Sequence, residues 1–391
     1  MRVNYRASQG IGFRLLSEDQ LQVLFEAATH VLEHVGMEVR HEEVRDLLGR
    51  SGAFIDGSRA LLPSHMVRQA LATAPRGFTV FSREGDRRKD LRIGSGFVNY
   101  GPGPTCMNFL DPRSGERRTF TRGDAADVAR VCDALPNIDF VESLGTVGDV
   151  GNGLADTHEF APMFANTGKP IVAWSYGLAG AEEIHSIAVA EAGGQRQFEL
   201  RPNYIHYCEP LSPLLAAPDA LDKAIFAARN RVPLIFTPCV ISGATGPSTM
   251  AGAIVQAACE SWLGLVVSQL VRPGTPFVMG GVVSIMDMSS MVLAYGAPEL
   301  SLLSAGLTEL AHYVGLPVWS TGGCSDSKAV DGQAALEGAF SVYAAALSGA
   351  DLVHDVGCIE GGMTGSLEQL ALNSSKHWST TIISSTIGIS S

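Results

Sequence analysis

The stretch from Val232 to Glu368 constrains the fold more than any other part of this chain. Three times a short apolar run ends in a glycine-rich turn and leads into a long helical pattern. VPLIFTPCV passes through SGATGP to a helix expected over 249–270. PFVMGGV leads by a loop to 298–314, and LPVWSTGG leads through CSDSKAVDG to 333–347, after which ADLVHDVG follows. Apolar strands alternating with helices imply parallel strands joined by crossover helices. Extending the count upstream gives candidate strands at 97–100, 138–144, 171–175, 203–208, 234–239, 277–280, 318–321 and 352–355. Helical patterns begin near Thr121, Asp156, Ala181, Pro218, Thr249, Pro298 and Gln333. Eight strands and alternating helices predict a (β/α)8 TIM barrel, an α/β fold, over 96–373, with its chemistry on the loops that follow the strands. An open doubly wound sheet is the alternative, but its GxGxxG fingerprint is absent after the first strand, where the turn reads Gly101-Pro102-Gly103-Pro104.

The first 95 residues read as a separate cap. Ser17-Glu18-Asp19-Gln20 is a capping-box pattern, and Leu21, Leu24, Ala28, Val31, Leu32 and Val35 follow at helical spacing until Gly36. Shorter helices are expected at 41–48 and 63–74. FTVFS and LRIGS flank a charged turn as in a β-hairpin, and a second hairpin is expected within 105–120. The bland reading of the cap is that it only covers apolar surface. At the other end, residues 374–391 (SSKHWSTTIISSTIGISS is the run that sets in there) are mostly Ser, Thr and Ile without helical period. They read as an atypical tail of the kind truncation leaves, with Ile382, Ile383 and Ile387 expected outside the main core.

Composition narrows the function classes. With 391 residues, 46% hydrophobic and 17% charged, the chain can bury a large core. A net charge of −12 without a basic stripe argues against nucleic acid and permits a cationic ligand. Seven scattered cysteines with no CxxC pair read as reduced thiols of a cytoplasmic protein. No signal-peptide core precedes the cap. The apolar helix near 251–271 is interrupted by Gln256, Glu260 and Gln269 and reads as buried or facing another copy in a homo-oligomer, not as a membrane span.

The run GATGPSTMAGAIVQAACESWLGLVVSQLVRPGTPFVMGG, then YGAPEL, STGGCSDSKAVDGQAALEG and GADLVHDVGCIEGGMTGSLEQL, resembles the trimethylamine methyltransferase (MttB) family, over about 16–372. The resemblance implies transfer of a methyl group from a methylated amine to the cobalt(I) of a corrinoid carried by a separate protein. No DxHxxG corrinoid pattern is present here, so the corrinoid is expected on a cognate partner and no cofactor on this chain. Trimethylamine enzymes of the family carry pyrrolysine, and this chain has ordinary residues throughout. That departure points to a quaternary substrate of the glycine betaine type, because a quaternary ammonium already releases a neutral amine.

Aromatic residues at strand ends are the candidate receptor for the substrate: Tyr100, Trp174, Tyr176, Tyr204, Tyr207 and Trp319, with His206 beside them. A methylated ammonium offers no N–H and is held by cation–π attraction, each ring contributing ~0.5–2 kcal/mol. Ordinary packing of the barrel is the competing reading for each ring. Glu209, Asp326 and His354 are the candidate catalytic residues, with Lys328, Asp331 and Glu360 as further polar groups on the reactive face. A betaine carboxylate would need a donor such as His206, His354 or the glycine-turn N–H groups. Two rival readings stand: a zinc–thiol corrinoid methyltransferase using His206, Cys208 and Cys239, and a non-catalytic binder of quaternary amines.

Overall fold

The computed structural model describes residues 13–94 and 96–374. Seven parallel strands form its central sheet: β1 (Asn99–Tyr100), β2 (Ile171–Trp174), β3 (Tyr204–Cys208), β4 (Leu234–Phe236), β5 (Phe277–Gly280), β6 (Val318–Thr321) and β7 (Leu352–His354). Their spatial order is β1-β7-β6-β5-β4-β3-β2, which leaves β1 and β2 at the two edges. Residues 138–142 join those edges. The N–H groups of Asp139 and Phe140 donate to Tyr100 O at 2.7 and 3.3 Å, and Val141 makes a parallel bridge to Ile171. The ring therefore closes as a TIM barrel, and no sheet edge is left open.

The second strand is shorter than the sequence implies. The Tyr100 N–H donates to the Asp139 side chain at 2.9 Å instead of to a main-chain carbonyl, and Leu144 turns the chain with φ +66°. The other strands and the connecting helices lie close to their expected places. Thr121, Thr249 and Asp331 accept N–H bonds as N-caps of Arg122–Ala134, Met250–Val271 and Gly332–Ser348. Gly315 and Gly349 end Pro298–Val314 and Gly332–Ser348 in the left-handed conformation.

Alternation along each strand divides the core in two. Ile171, Tyr204, Leu234, Phe277, Val318 and Val353 point outward and pack beneath the helices. Phe140, Val172, Ile205, Tyr207, Ile235, Val278, Trp319 and Leu352 point inward and form a second cluster. The expected hairpin, Phe78–Val80 against Leu91–Ile93, contributes Val80, Leu91 and Ile93 to that inner cluster. It therefore plugs one end of the barrel, which goes beyond merely covering apolar surface.

Ser17 and Gln20 form the expected capping box of Glu18–His34, and Gly36 adopts φ +69°, where a Cβ would meet Ala60 O at 2.4 Å. One attachment was not anticipated: Met37–Val39 pairs in parallel with Leu215–Ala216, tying the N-terminal segment to the loop after β3. Met250–Val271 is the one helix among the described residues long and apolar enough to cross a membrane, and it is mostly buried. It packs against Glu18–His34, Ser64–Thr73 and Pro218–Asn230. The tail from 375 on, with its three isoleucines, lies outside the described residues.

At the carboxyl end, the loops carry their own small sheets. The expected hairpin Asn108–Leu110/Arg117–Thr119 is present and pairs with Thr364–Ser366. Cys239–Ser242 pairs with Val282–Asp287. Close approach of β5 to β6 depends on Gly280, whose φ is +143° and whose Cβ, if present, would lie 2.0 Å from Trp319 O. Gly280→Ala is expected to cost about 2–3 kcal/mol of unfolding free energy in urea melts. An unchanged midpoint would show that the strand pair is not so tightly set.

Candidate active site

Register sets which rings meet. Tyr207 sits opposite Trp174 across the β3–β2 pair, and Trp319 sits opposite Gly280 and Leu352. Trp319 is fully buried, with ring centroids 5.6 Å from Phe140 and 5.8 Å from Tyr207. The His354 ring stacks on Trp319 at 4.5 Å and an interplanar angle of 17°. Above Trp174, Tyr176 stands edge-on at 4.4 Å and is half exposed.

Carboxylates line the same end. Two-residue alternation from Phe140 and Tyr207 directs Glu142 and Glu209 inward. Glu142 is 1% exposed, and neither of its carboxylate oxygens has a hydrogen-bond partner. Burial, then the nearby charges of Asp355 and Glu159, push its pKa well above the usual carboxylate range. Asp355 Oδ1 lies 2.9 Å from His354 Nδ1, while Oδ2 is buried without a partner. His354 Nε2 is 3.2 Å from Thr321 Oγ1, whereas Nδ1, despite its closeness to Asp355, is buried without a hydrogen-bond partner. Asp355 adopts φ +73°, a conformation costing roughly 1–2 kcal/mol in an L residue.

Glu209 is water-accessible and yet surrounded by protein on nearly all sides. Cys239 and Tyr295, both only partly shielded from water, share that condition. Together they mark a recess open at the carboxyl end. Burial among protein atoms raises Glu209 to about 7, against the lowering effect of the Tyr207 hydroxyl, which donates to it at 3.3 Å. Because water reaches this carboxylate, its charge is better screened than that of Glu142.

The first βα turn, Gly101-Pro102-Gly103-Pro104, acquires a physical role here. A Cβ at Gly101 would lie 2.2 Å from the Phe140 ring, and one at Gly103 would lie 2.1 Å from Asp355 Oδ1. The glycines make room for an inward ring and an inward acid.

Not every expected residue joins this group. Tyr100 packs outward, its hydroxyl 3.5 Å from Val342 O under the last long helix. Tyr204 also faces out, and its hydroxyl contacts His185 Nδ1 at 3.2 Å. His206 shares that face two residues on, 3.3 Å from Ser175 Oγ. Burial, then the charges of Lys223 and His185, lower its pKa to about 3. Asp326 accepts the N–H groups of Tyr295 and Gly296 at 2.8 Å each and so braces the loop that carries Tyr295. Asp331 caps a helix, Glu360 pairs with Arg117 at 2.8 Å, and Lys328 is exposed. His206 and Cys208 lie on the outward face, whereas Cys239 stands at the recess. Among the described residues no three His, Cys, Asp or Glu side chains gather as a metal site. Phe140, Glu142, Tyr295 and Asp355 were not anticipated. The signal for Glu142 was available: an acid two residues after an inward phenylalanine in a barrel strand.

Comparison with known proteins adds independent findings. The family model described as trimethylamine methyltransferase (MTTB) matches residues 5–377. Trimethylamine methyltransferase MttB of Desulfitobacterium hafniense (strain DSM 10664 / DCB-2) is 31% identical over 370 residues, 93% of this chain and 74% of that protein. Glycine betaine methyltransferase of Desulfitobacterium hafniense (strain Y51) is 29% identical over 365 residues, 92% of this chain and 75% of that protein. Among solved structures, the Methanosarcina barkeri monomethylamine methyltransferase (MtmB) superposes with a TM-score of 0.57 at 11% identity, covering 98% of this chain and 84% of that one. A hydroxylamine complex of MtmB superposes at 0.62 and 11% identity, covering 99% and 77%. At that identity the likeness supports the fold alone.

The buried acids generate a pH prediction. Glu159 is raised to about 8 and Glu260 to about 7, each mainly by burial. A carboxyl whose folded pKa exceeds its unfolded value binds more protons when folded. Stability is then fully present below about pH 4.5 and is lost as pH rises through 7 and 8. Calorimetric melting of the unliganded protein should therefore fall steadily from pH 5.5 to 8.5, and Glu159→Gln should flatten the slope. A melting temperature that rises over this interval would contradict the assignment.

Proposed function

The chain belongs to the trimethylamine methyltransferase family, and from that premise we propose that it moves a methyl group from a methylated ammonium to the cobalt(I) of a corrinoid carried by a separate protein. One observation carries the reading. Buried carboxylate oxygens of Glu142 and Asp355 stand without donors, Glu142 within charge range of Tyr207 and Asp355 against His354, which stacks on Trp319. A ligand that supplies positive charge but no N–H suits that setting. The rings attract it through their faces, and the acids balance its charge without needing hydrogen bonds.

The transfer balances simply. The methyl carbon leaves nitrogen, the C–N pair stays on the amine, and the cobalt(I) electron pair forms the new Co–C bond. Opposite charges are annihilated, so a dry and apolar wall favours the step relative to water. The protein's part is to aim the N–methyl group at the open end of the barrel. The hairpin Phe78–Val80/Leu91–Ile93 plugs the other end, so the acceptor approaches from the loops. His354, bonded to Thr321 and lying against Asp355, positions the Trp319 face by stacking. The neutral amine leaves the inner acids, and Glu209, at the water-accessible opening, can hand it a proton on its way out. Asp326 acts on the loop that carries Tyr295 and not on the substrate. Ordinary residues throughout the chain, with no pyrrolysine, support a quaternary donor.

The test is formation of methylcobalamin from cob(I)alamin with a panel of quaternary and tertiary amines, read by absorbance. Turnover with at least one N-methyl ammonium is expected. Trp319→Ala should lower kcat/KM about 2- to 30-fold, the loss of one desolvated ring. Calorimetric binding without methylation would leave a binder in place of an enzyme. Absence of both binding and turnover across the panel would overturn the proposal.

A further inference from the structure

We propose that this site selects net-cationic quaternary ammoniums, such as choline or tetramethylammonium, over zwitterionic betaines. The inference rests on the functional reading above and narrows it to a charge class.

The recess is built for one sign of charge. Glu142 and Asp355 are buried, Glu209 lines the opening, and Glu159 lies close enough to Glu142 to feel its charge. Among the described residues, Glu142 and Glu209 form no ion pair with lysine or arginine, and Asp355 pairs only with His354. Lys223 lies near the rings, its Nζ 5.8 Å from the centroid of the Trp174 ring. Its ammonium donates to Ser175 O at 2.6 Å and is buried, so it is committed elsewhere.

A betaine carries its carboxylate two bonds from the ammonium nitrogen. Seating that nitrogen at the opening, against Trp174, Tyr176 and Tyr207, therefore drags the carboxylate toward the same cluster of acids. It would need strong donors, and they are not offered. His206 faces the helices, and His354 Nε2 is bonded to Thr321 while its Nδ1 lies 2.9 Å from Asp355 Oδ1, another acid. Trp319 Nε1 and His354 Nδ1 are buried without hydrogen-bond partners, but two ring N–H groups do not offset several like charges at short range. The hydroxyl of choline, by contrast, donates a hydrogen bond and meets an unpartnered carboxylate oxygen on favourable terms.

Titration calorimetry of the full chain with choline, tetramethylammonium and glycine betaine at one pH and ionic strength decides the matter. Choline or tetramethylammonium should bind at least about tenfold more tightly than glycine betaine. Glu142→Gln should narrow that ratio by weakening the cations more than the zwitterion. If that variant does not fold, Asp355→Asn serves in its place, and the wild-type ratio is decisive by itself. Glycine betaine binding as tightly as choline, or more so, would overturn the charge selectivity while leaving the methyl-transfer reading intact. Failure of every ammonium to bind would overturn both.

Discussion

Closure of the strand ring is the constraint from which the site follows. Once residues 138–142 bond to both Tyr100 and Ile171, every strand must send alternate side chains inward, and the parallel register fixes which of them are neighbours. Trp174 meets Tyr207, Trp319 meets Gly280 and Leu352, and Phe140 supplies the facing ring. A one-residue slip in β3 would bring Tyr204 and His206 inside and turn Tyr207 and Glu209 toward the helices. The chemistry of the recess is therefore a consequence of register before it is a consequence of residue type.

Backbone economy at the carboxyl end serves the same purpose. Gly101 and Gly103 yield volume to Phe140 and Asp355, and Gly280 lets β5 approach the Trp319 backbone. Asp355 holds a left-handed conformation that the loop after β7 must stabilise from outside. These positions share one logic. Main chain gives way so that a ring or an acid occupies the interior, and the surrounding close packing keeps it there.

Much of this was legible in the residues. Apolar runs of strand length, punctuated by glycine and followed by helical periods, gave seven strands and their helices nearly in place, because burial on both faces makes those patterns strong. The second strand was read too long, since its pairing is completed by an Asp139 side chain that no periodicity reveals. Within the site, the period-two rule already separated Tyr204 from Tyr207, three apart on one strand, yet both had been grouped by residue type alone. Trp174, Trp319, Tyr207, Glu209 and His354 do meet near the barrel mouth. Asp326 was attractive as a loop acid, but a carboxylate with two backbone N–H partners is occupied. Glu142 and Asp355 escaped notice because their significance is a lack of partners, which only the folded neighbourhood exposes.

Unpartnered buried acids are costly, and their retention asks for a reason. For Glu142 the resolution is protonation in the empty protein, as its upward shift implies. A neutral acid is inexpensive to bury and needs no counter-ion. Arrival of a fixed cation then reverses the balance, because its charge stabilises the carboxylate and expels the proton. Binding and proton release become one event, and Glu142 carries its negative charge only while the ammonium is present. Methyl transfer removes that positive charge by turning the ammonium into a neutral amine. Glu142 then regains a reason to be protonated, and the interaction that held the substrate weakens for the product. On this argument the same carboxylate that draws the cation in also lets the amine go, without a moving part in the barrel.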